Sequence, residues 1–407
     1  MASHSWIEDY LDYTKNQQSP TIYHYWVGIS VIASVLNRKV WLDRGDEGIT
    51  FYKAYPGQLY MLLIGKSAST KKTTAINIGQ KLMRDAGITV TRGSGSPEGI
   101  LKDLHDECSA KVKLVGTRLS MGGTDTVAVI IAPEASVLLG KQSYNESMID
   151  ILTDLYDAPD VFKRSLSNKK FVLKNVCVTM MLGATPENVG DSFPAKVHTF
   201  GFLGRLHSIY SDTPRSINPL TNIGKTAINT QKKMEAEQKY KSLVSRLEKM
   251  STLSGEFDFT DIGRKWFNEW NDWYFSKPEN NSAGWPQRRP DHLLRLAMIL
   301  KASSSPDLIL DEKVLETANR SLREIEKHFD KAYEEVGQSA SSKDQERILN
   351  ILMKGDISTR ELFFAARKYF KDKEHMQSVL SMLQMSGEIE AFEKKRGDPN
   401  SQHWRRK

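Results

Sequence analysis

An apolar run, Leu59-Tyr-Met-Leu-Leu-Ile64, passes through small residues, Gly65-Lys-Ser-Ala-Ser-Thr70, into Lys71-Lys-Thr-Thr74 at the head of a segment of helical composition. A strand, a loop and a helix start in that order place backbone N–H groups and a helix N-terminus around an anion. Gly65, Ser69, Thr70, Lys71, Lys72, Thr73 and Thr74 are therefore the candidate phosphate-binding residues. Lys72 would reach the β- and γ-phosphates of ATP, and the Thr73 hydroxyl would ligate Mg2+. Two departures from G-x-x-x-x-G-K-[ST] stand out: Lys71 occupies the place of the second glycine, and Gly65 lies seven residues before Lys72 instead of six. The plain alternative is a strand–turn–helix with a chance Lys-Lys-Thr-Thr.

Three later groups could complete such a site. Val127-Ala-Val-Ile-Ile-Ala132 ends in Pro133-Glu134; an acid there can activate a water or support the metal, or can simply be solvated. Proline stands where an aspartate usually precedes that acid. Val176-Cys-Val-Thr-Met-Met-Leu-Gly-Ala-Thr185 delivers a hydroxyl before Pro186, suited either to sensing the γ-phosphate or to capping the turn. Gly201-Phe-Leu-Gly-Arg205 presents a guanidinium that fits an arginine finger for a neighbouring subunit, or a surface ion pair.

These residues need a parallel sheet to hold them. Short β-rich runs at 59–64, 127–132, 176–182 and 206–210 alternate with helical segments at 75–86 and 148–155, the pattern of an α/β unit. We divide the chain into a helical segment 1–56, an ATPase core 57–215, an α-helical lid 216–337 without strand signal, and a terminal unit 338–407. The aromatic cluster Trp266 to Phe275 has helical spacing and acidic neighbours, and reads as core packing in preference to a base-stacking platform. After the small polar stretch Gly337 to Ser342 come three helical segments, the second capped by Ser358, and a terminal hairpin, which describe a winged helix.

The set Trp6-Ile-Glu-Asp-Tyr-Leu-Asp-Tyr-Thr14, Tyr23-His-Tyr-Trp-Val-Gly28, Lys71-Lys-Thr-Thr74, Leu155-Tyr-Asp-Ala-Pro159, Gly183-Ala-Thr-Pro186 and Gly201-Phe-Leu-Gly-Arg205 resembles a family of phage and mobile-element P-loop ATPases. Members are commonly the helicase part of primase-helicase replication proteins. The resemblance covers about residues 5–335 and implies a RecA-like or AAA-like α/β core that assembles as a ring, a hexamer being favoured, with ATP and Mg2+ between subunits. It assigns Lys72 and Thr73 to phosphate and metal, Glu134 to water activation, with a share in the metal, Thr185 to the sensor place and Arg205 to the trans-acting finger. Arg289 and Arg295 resemble the arginines of the lid helix; one of them fits a second nucleotide sensor, with Arg295 taken as that contact, or equally a helix-surface ion pair. No primase-like segment is present, so a separate primase or polymerase is the expected partner.

The chain has 407 residues and a formal net charge of +7, a surplus that alone decides nothing about nucleic acid. Residues 339–407 hold 14 Lys+Arg and 10 Asp+Glu, a balance of +4 in about a sixth of the length. Lys394, Lys395 and Arg396 on one side of the expected wing, and Arg405, Arg406 and Lys407 on the other, are the candidate contacts to DNA phosphates, while Trp404 reads as wing core. Two cysteines without ligand or disulfide spacing, no secretory signal and no membrane-length apolar run point to the cytoplasm. The expectation is an ATP-dependent DNA helicase or translocase, with an ATP-switched initiator or loader as the alternative.

Overall fold

The computed structural model describes residues 4–44, 52–92, 95–114, 125–139, 145–166, 169–186, 188–189, 201–213, 215, 227–278, 284–333, 340–353, 355–367, 369–370, 372–393 and 402–406. The chain divides into two compact units, Met1–Val336 and Gly337–Lys407.

The first unit begins with helices α1 (Trp6–Tyr13) and α2 (Thr21–Leu36), then a short antiparallel pair, β1 (Val40–Asp43) and β2 (Lys53–Ala54). Then come β3 (Tyr60–Ile64), α3 (Lys72–Asp85), β4 (Val90–Arg92), α4 (Pro97–Leu114), β5 (Asp125–Ala132), α5 (Ala135–Leu139), α6 (Asn145–Tyr156), β6 (Val161–Leu166), β7 (Lys169–Ala184) and β8 (Leu206–Tyr210). The strands form one sheet in the order β4-β5-β7-β3-β8, all parallel, with β6 added antiparallel to the first half of β7. This is the mixed α/β class with a parallel central sheet that the alternation predicts.

Both faces of the sheet are covered, which is why β3 reads as an unbroken apolar run. Met61 and Leu63 point into a core shared with α2, α3 and later helices; Tyr60, Leu62 and Ile64 point into the opposite core with α4, α5 and α6. Helix α2 is buried from Tyr23 to Leu36 apart from half-buried Tyr25, the core helix its apolar composition indicates. Among the described residues no helix is long and apolar enough to cross a membrane.

The remainder of the unit is α7 (Ala227–Met250), β9 (Gly255–Glu256), β10 (Asp258–Phe259), α8 (Asp261–Phe275), α9 (Trp285–Ser304), β11 (Ile309–Leu310), α10 (Glu312–Glu326) and α11 (Phe329–Tyr333). Several expectations are corrected. The first 56 residues contain strands as well as helices, and the strand-free stretch contains the short parallel pair β10–β11. Helix α7, from Ala227 to Met250, is the first helix of the lid segment. The β6–β7 hairpin and β4 carry too many Lys, Arg and Thr residues to stand out as apolar runs.

The second unit holds α12 (Ala340–Leu352), β12 (Ile357–Ser358), α13 (Thr359–Ala366), α14 (Lys373–Met385), β13 (Ile389–Glu393) and β14 (Gln402–Arg406), with a three-stranded sheet in the order β12-β14-β13. Ser358 caps α13 through a reciprocal capping box with Glu361. Ile348, Leu362, Met376, Leu380, Ile389 and Trp404 contribute to a separate small core.

Candidate functional site

Strand β3 carries the chain to the C-terminal edge of the sheet, where Gly65 to Lys71 loop over to the start of α3. Gly65 is packed so tightly that a Cβ would lie 2.4 Å from the Tyr23 hydroxyl and 2.6 Å from the Ser211 carbonyl. Tyr23 donates to the Ile64 carbonyl at 2.6 Å, and Ser19 donates to the Lys71 carbonyl at 2.9 Å. The N-terminal helical segment thus clamps both ends of the loop. Neither Ser19 nor Tyr23 was among the expected site residues; Tyr23 lies in one of the motif stretches, which was its only signal.

Lys71 has φ 49° and ψ 39°, the left-handed conformation that glycine adopts most easily. The backbone therefore takes a glycine-like shape at the position where the motif calls for glycine. Lys72 is 7% exposed and donates to the Gly65 carbonyl at 2.5 Å, folding its side chain back over the loop. Thr70 is buried and, like Ser69, donates its hydroxyl to the Lys66 carbonyl, so both hydroxyls shape the loop. Thr73 and Thr74 are exposed in the first turn of α3. That turn has no side-chain cap hydrogen bond and no acidic residue, so the positive end of the helix dipole has no counter-charge built into its own first turn.

Strand β7 lies between β3 and β5, with Ile64 beside Ala184 and Ala132 beside Leu182. The phosphate-type loop, Glu134 and Thr185 consequently open on one edge of the sheet. Gly183 permits this closeness: a Cβ there would lie 2.4 Å from the Pro133 carbonyl and 3.6 Å from Ile76 of α3. Glu134 is exposed. Thr185 accepts from the Asn188 N–H at 3.2 Å, so it caps the turn.

Arg205 lies at the other edge. It precedes β8, whose first residue, Leu206, pairs with the first residue of β3, Tyr60. The guanidinium is 6% exposed, contacts Asp157 at 3.0 Å and the Gly201 carbonyl at 3.2 Å, and stands over the Tyr156 ring. The Leu155-Tyr-Asp-Ala-Pro159 stretch thereby acquires a structural role as the seat of Arg205.

Arg295 corrects an expectation. It is 1% exposed and donates to the hydroxyls of Tyr156 (2.7 Å) and Tyr52 (3.1 Å), beside Tyr60 and therefore at the edge opposite the loop. A guanidinium enclosed there does not reach a nucleotide held by Lys72 of its own chain. Arg289 is an ion pair with Glu326 at 2.6 Å, packed over Trp270. Nearby, burial pushes the His207 imidazole down to about 3, and burial followed by the neighbouring His207 and Arg295 pushes His292 well below its usual range.

In the second unit, Trp404 is core, donating from Nε1 to Thr359 at 2.9 Å. Arg405 pairs across the strands with Glu390 and lies over Phe392, so it is less free for phosphate than expected. Arg406 is exposed. Lys394, Lys395, Arg396 and Lys407 lie outside the described residues.

No protein-family model matches the chain, and no curated protein matches it at a significant level.

Proposed function

We propose that the first unit is the ATPase of a DNA helicase or translocase that works as a homo-oligomeric ring, a hexamer being the favoured form. One observation carries the reading: Lys72, Glu134 and Thr185 share one edge of a parallel sheet while Arg205 stands at the other. A ring of copies in head-to-tail contact brings those two edges together at each interface. The order β4-β5-β7-β3-β8, with a strand interposed between the loop strand and the acid strand, supports a RecA-like or AAA-like core. The three helices and wing-like sheet of the second unit support a winged helix that contacts DNA phosphates through Arg406, together with the basic residues Lys394, Lys395, Arg396 and Lys407 that the sequence supplies.

In this reading the Lys72 ammonium exchanges the Gly65 carbonyl for the β- and γ-phosphates, and the first-turn N–H groups of α3 hold the β-phosphate. The Thr73 hydroxyl, exposed in the first turn, would hold Mg2+, which when bound would supply charge neutralisation for the phosphates. Glu134 takes the proton of the attacking water, Thr185 orients it by donation, and Arg205 of the next copy exchanges Asp157 for the γ-phosphate. DNA-stimulated ATP hydrolysis should fall at least a hundredfold in Lys72→Ala; unchanged hydrolysis would remove the assignment.

Pro133 favours a second reading, an ATP-switched initiator or loader, because the residue before Glu134 offers no carboxylate to the metal. Strand displacement on forked DNA separates the two: a helicase unwinds processively, a switch binds and assembles without doing so.

A further inference from the structure

A groove of about 460 Å³ runs between α8 and α10, away from the phosphate-type loop, with Trp266, Asn319, Arg320, Arg323 and Lys327 on its walls. Its size falls in the range of sites that enclose a small ligand, about 300–1,000 Å³. Helix α8 divides its aromatic residues: Trp270 and Tyr274 are core at 7% exposure each, whereas Trp266 is half-buried in the groove wall and Trp273 is 46% exposed. The Trp266 ring lies parallel to that of Trp270, with centroids 6.2 Å apart. Trp273 is faced by Lys277 at 4.0 Å and by the groove residue Arg323 at 5.9 Å.

The two helices present matching spacings. Trp266 and Trp273 are seven residues apart on α8, and Arg320 and Lys327 are seven apart along α10 and its continuation, roughly 10 Å in each case. Lys327 is paired with Glu324 at 2.6 Å, and Glu316 also lines the groove. Arg320 and Arg323 have no carboxylate within ion-pair distance among the described residues. Asn319, 7% exposed, also lines the groove, with its carboxamide oxygen enclosed in the wall.

We propose that this groove binds single-stranded nucleic acid: the indoles of Trp266 and Trp273 stack on bases, and Arg320 and Arg323 take phosphates. Indole faces bordered by guanidinium groups that have no carboxylate partner among the described residues are the combination that holds a base together with its phosphate. An acidic peptide would use the cations and leave the aromatic spacing without a role. The inference deepens the proposed function and rests on it for the partner, DNA, but not for ATP hydrolysis.

The test uses the full chain and an oligothymidylate carrying 5-iododeoxyuridine, photocross-linked and mapped by mass spectrometry. Cross-links on Trp266 or Trp273 are expected; cross-links confined to the second unit or to other surfaces overturn the proposal. In fluorescence anisotropy with the same oligonucleotide, the exposed-site double variant Arg320→Glu, Arg323→Glu should bind about tenfold more weakly, with a salt slope smaller by about 1.4. Unchanged affinity and slope would likewise overturn it. Lys72→Ala should retain the Trp266 cross-link, so a failure of the ATPase reading and a failure of the groove are told apart.

Discussion

Lys72 and Arg205 stand at opposite ends of the same pair of neighbouring parallel strands. Lys72 follows the C-terminal end of β3, Arg205 precedes the N-terminal end of β8, and five residues of parallel register separate their levels. At about 3.3 Å per residue the two levels differ by roughly 13–17 Å. The two groups cannot serve one phosphate within a chain, and the proposed mechanism depends on that separation.

Lys71 provides a test of the loop's backbone. Its left-handed φ is strained for a residue with a Cβ, so Lys71→Gly should hold or raise the thermal midpoint of the first unit, by up to about 1 kcal/mol of stability. A fall of several degrees would show that the Lys71 side chain holds the loop.

Gly65 gives the opposite outcome. Gly65→Ala forces a methyl into the Tyr23 hydroxyl and the Ser211 carbonyl, and we expect a loss of about 1–3 kcal/mol in chemical denaturation. Tyr23→Phe in the same background removes the polar atom that the methyl meets most closely, so it should recover part of the loss. Strictly additive losses would contradict the packing account.

How far the site was legible follows from these positions. The loop and the strands carrying Glu134 and Thr185 were legible because strands buried on both faces are continuous apolar runs. Residues 169–175 hide the start of β7: there buried Phe171 and Leu173 alternate with exposed Lys170, Val172 and Lys174, which an apolar-run reading passes over. The placement of Arg295 was not legible, because helical spacing reports the face a residue occupies but not which edge of a distant sheet that face meets. The clamp by Ser19 and Tyr23 was hidden for the same reason: both contacts join residues more than forty positions apart.

Asp157 should matter more for holding Arg205 than for folding. The guanidinium is buried but the carboxylate is half exposed, so Asp157→Asn should cost about 1 kcal/mol, less than the loss of a fully buried pair. If Arg205 acts on a neighbour, this variant also changes the maximal rate of ATP hydrolysis without changing nucleotide affinity. A change in affinity alone would contradict the trans role.

Acid should destabilise the first unit through its buried histidines. Burial, with a smaller contribution from Arg215, pushes His24 down to about 4, and burial pushes His207 to about 3, from an ordinary value of 6.5. Below 6.5 the unfolded chain takes up protons that the folded chain refuses. Stability is therefore full above that value and falls with decreasing pH until the folded values are reached, by up to about 1.4 kcal/mol per pH unit for each histidine. Neither nitrogen of His24 has a hydrogen-bond partner among the described residues, so His24→Leu removes a titrating group without breaking a pair. Its thermal midpoint should fall less steeply between pH 6.5 and 4 than that of the natural chain; equal slopes would count against the assignment.

The most direct test of the central claim is complementation of ATP hydrolysis between Lys72→Ala and Arg205→Ala chains. Each alone should be inactive, since every interface lacks one of the two groups. Mixed in equal amounts and allowed to reassemble, about one interface in four would pair an intact Lys72 with an intact Arg205, so hydrolysis should return to roughly a quarter of the natural rate. A mixture as inactive as its components, or an Arg205→Ala chain that hydrolyses ATP at the natural rate alone, would contradict it.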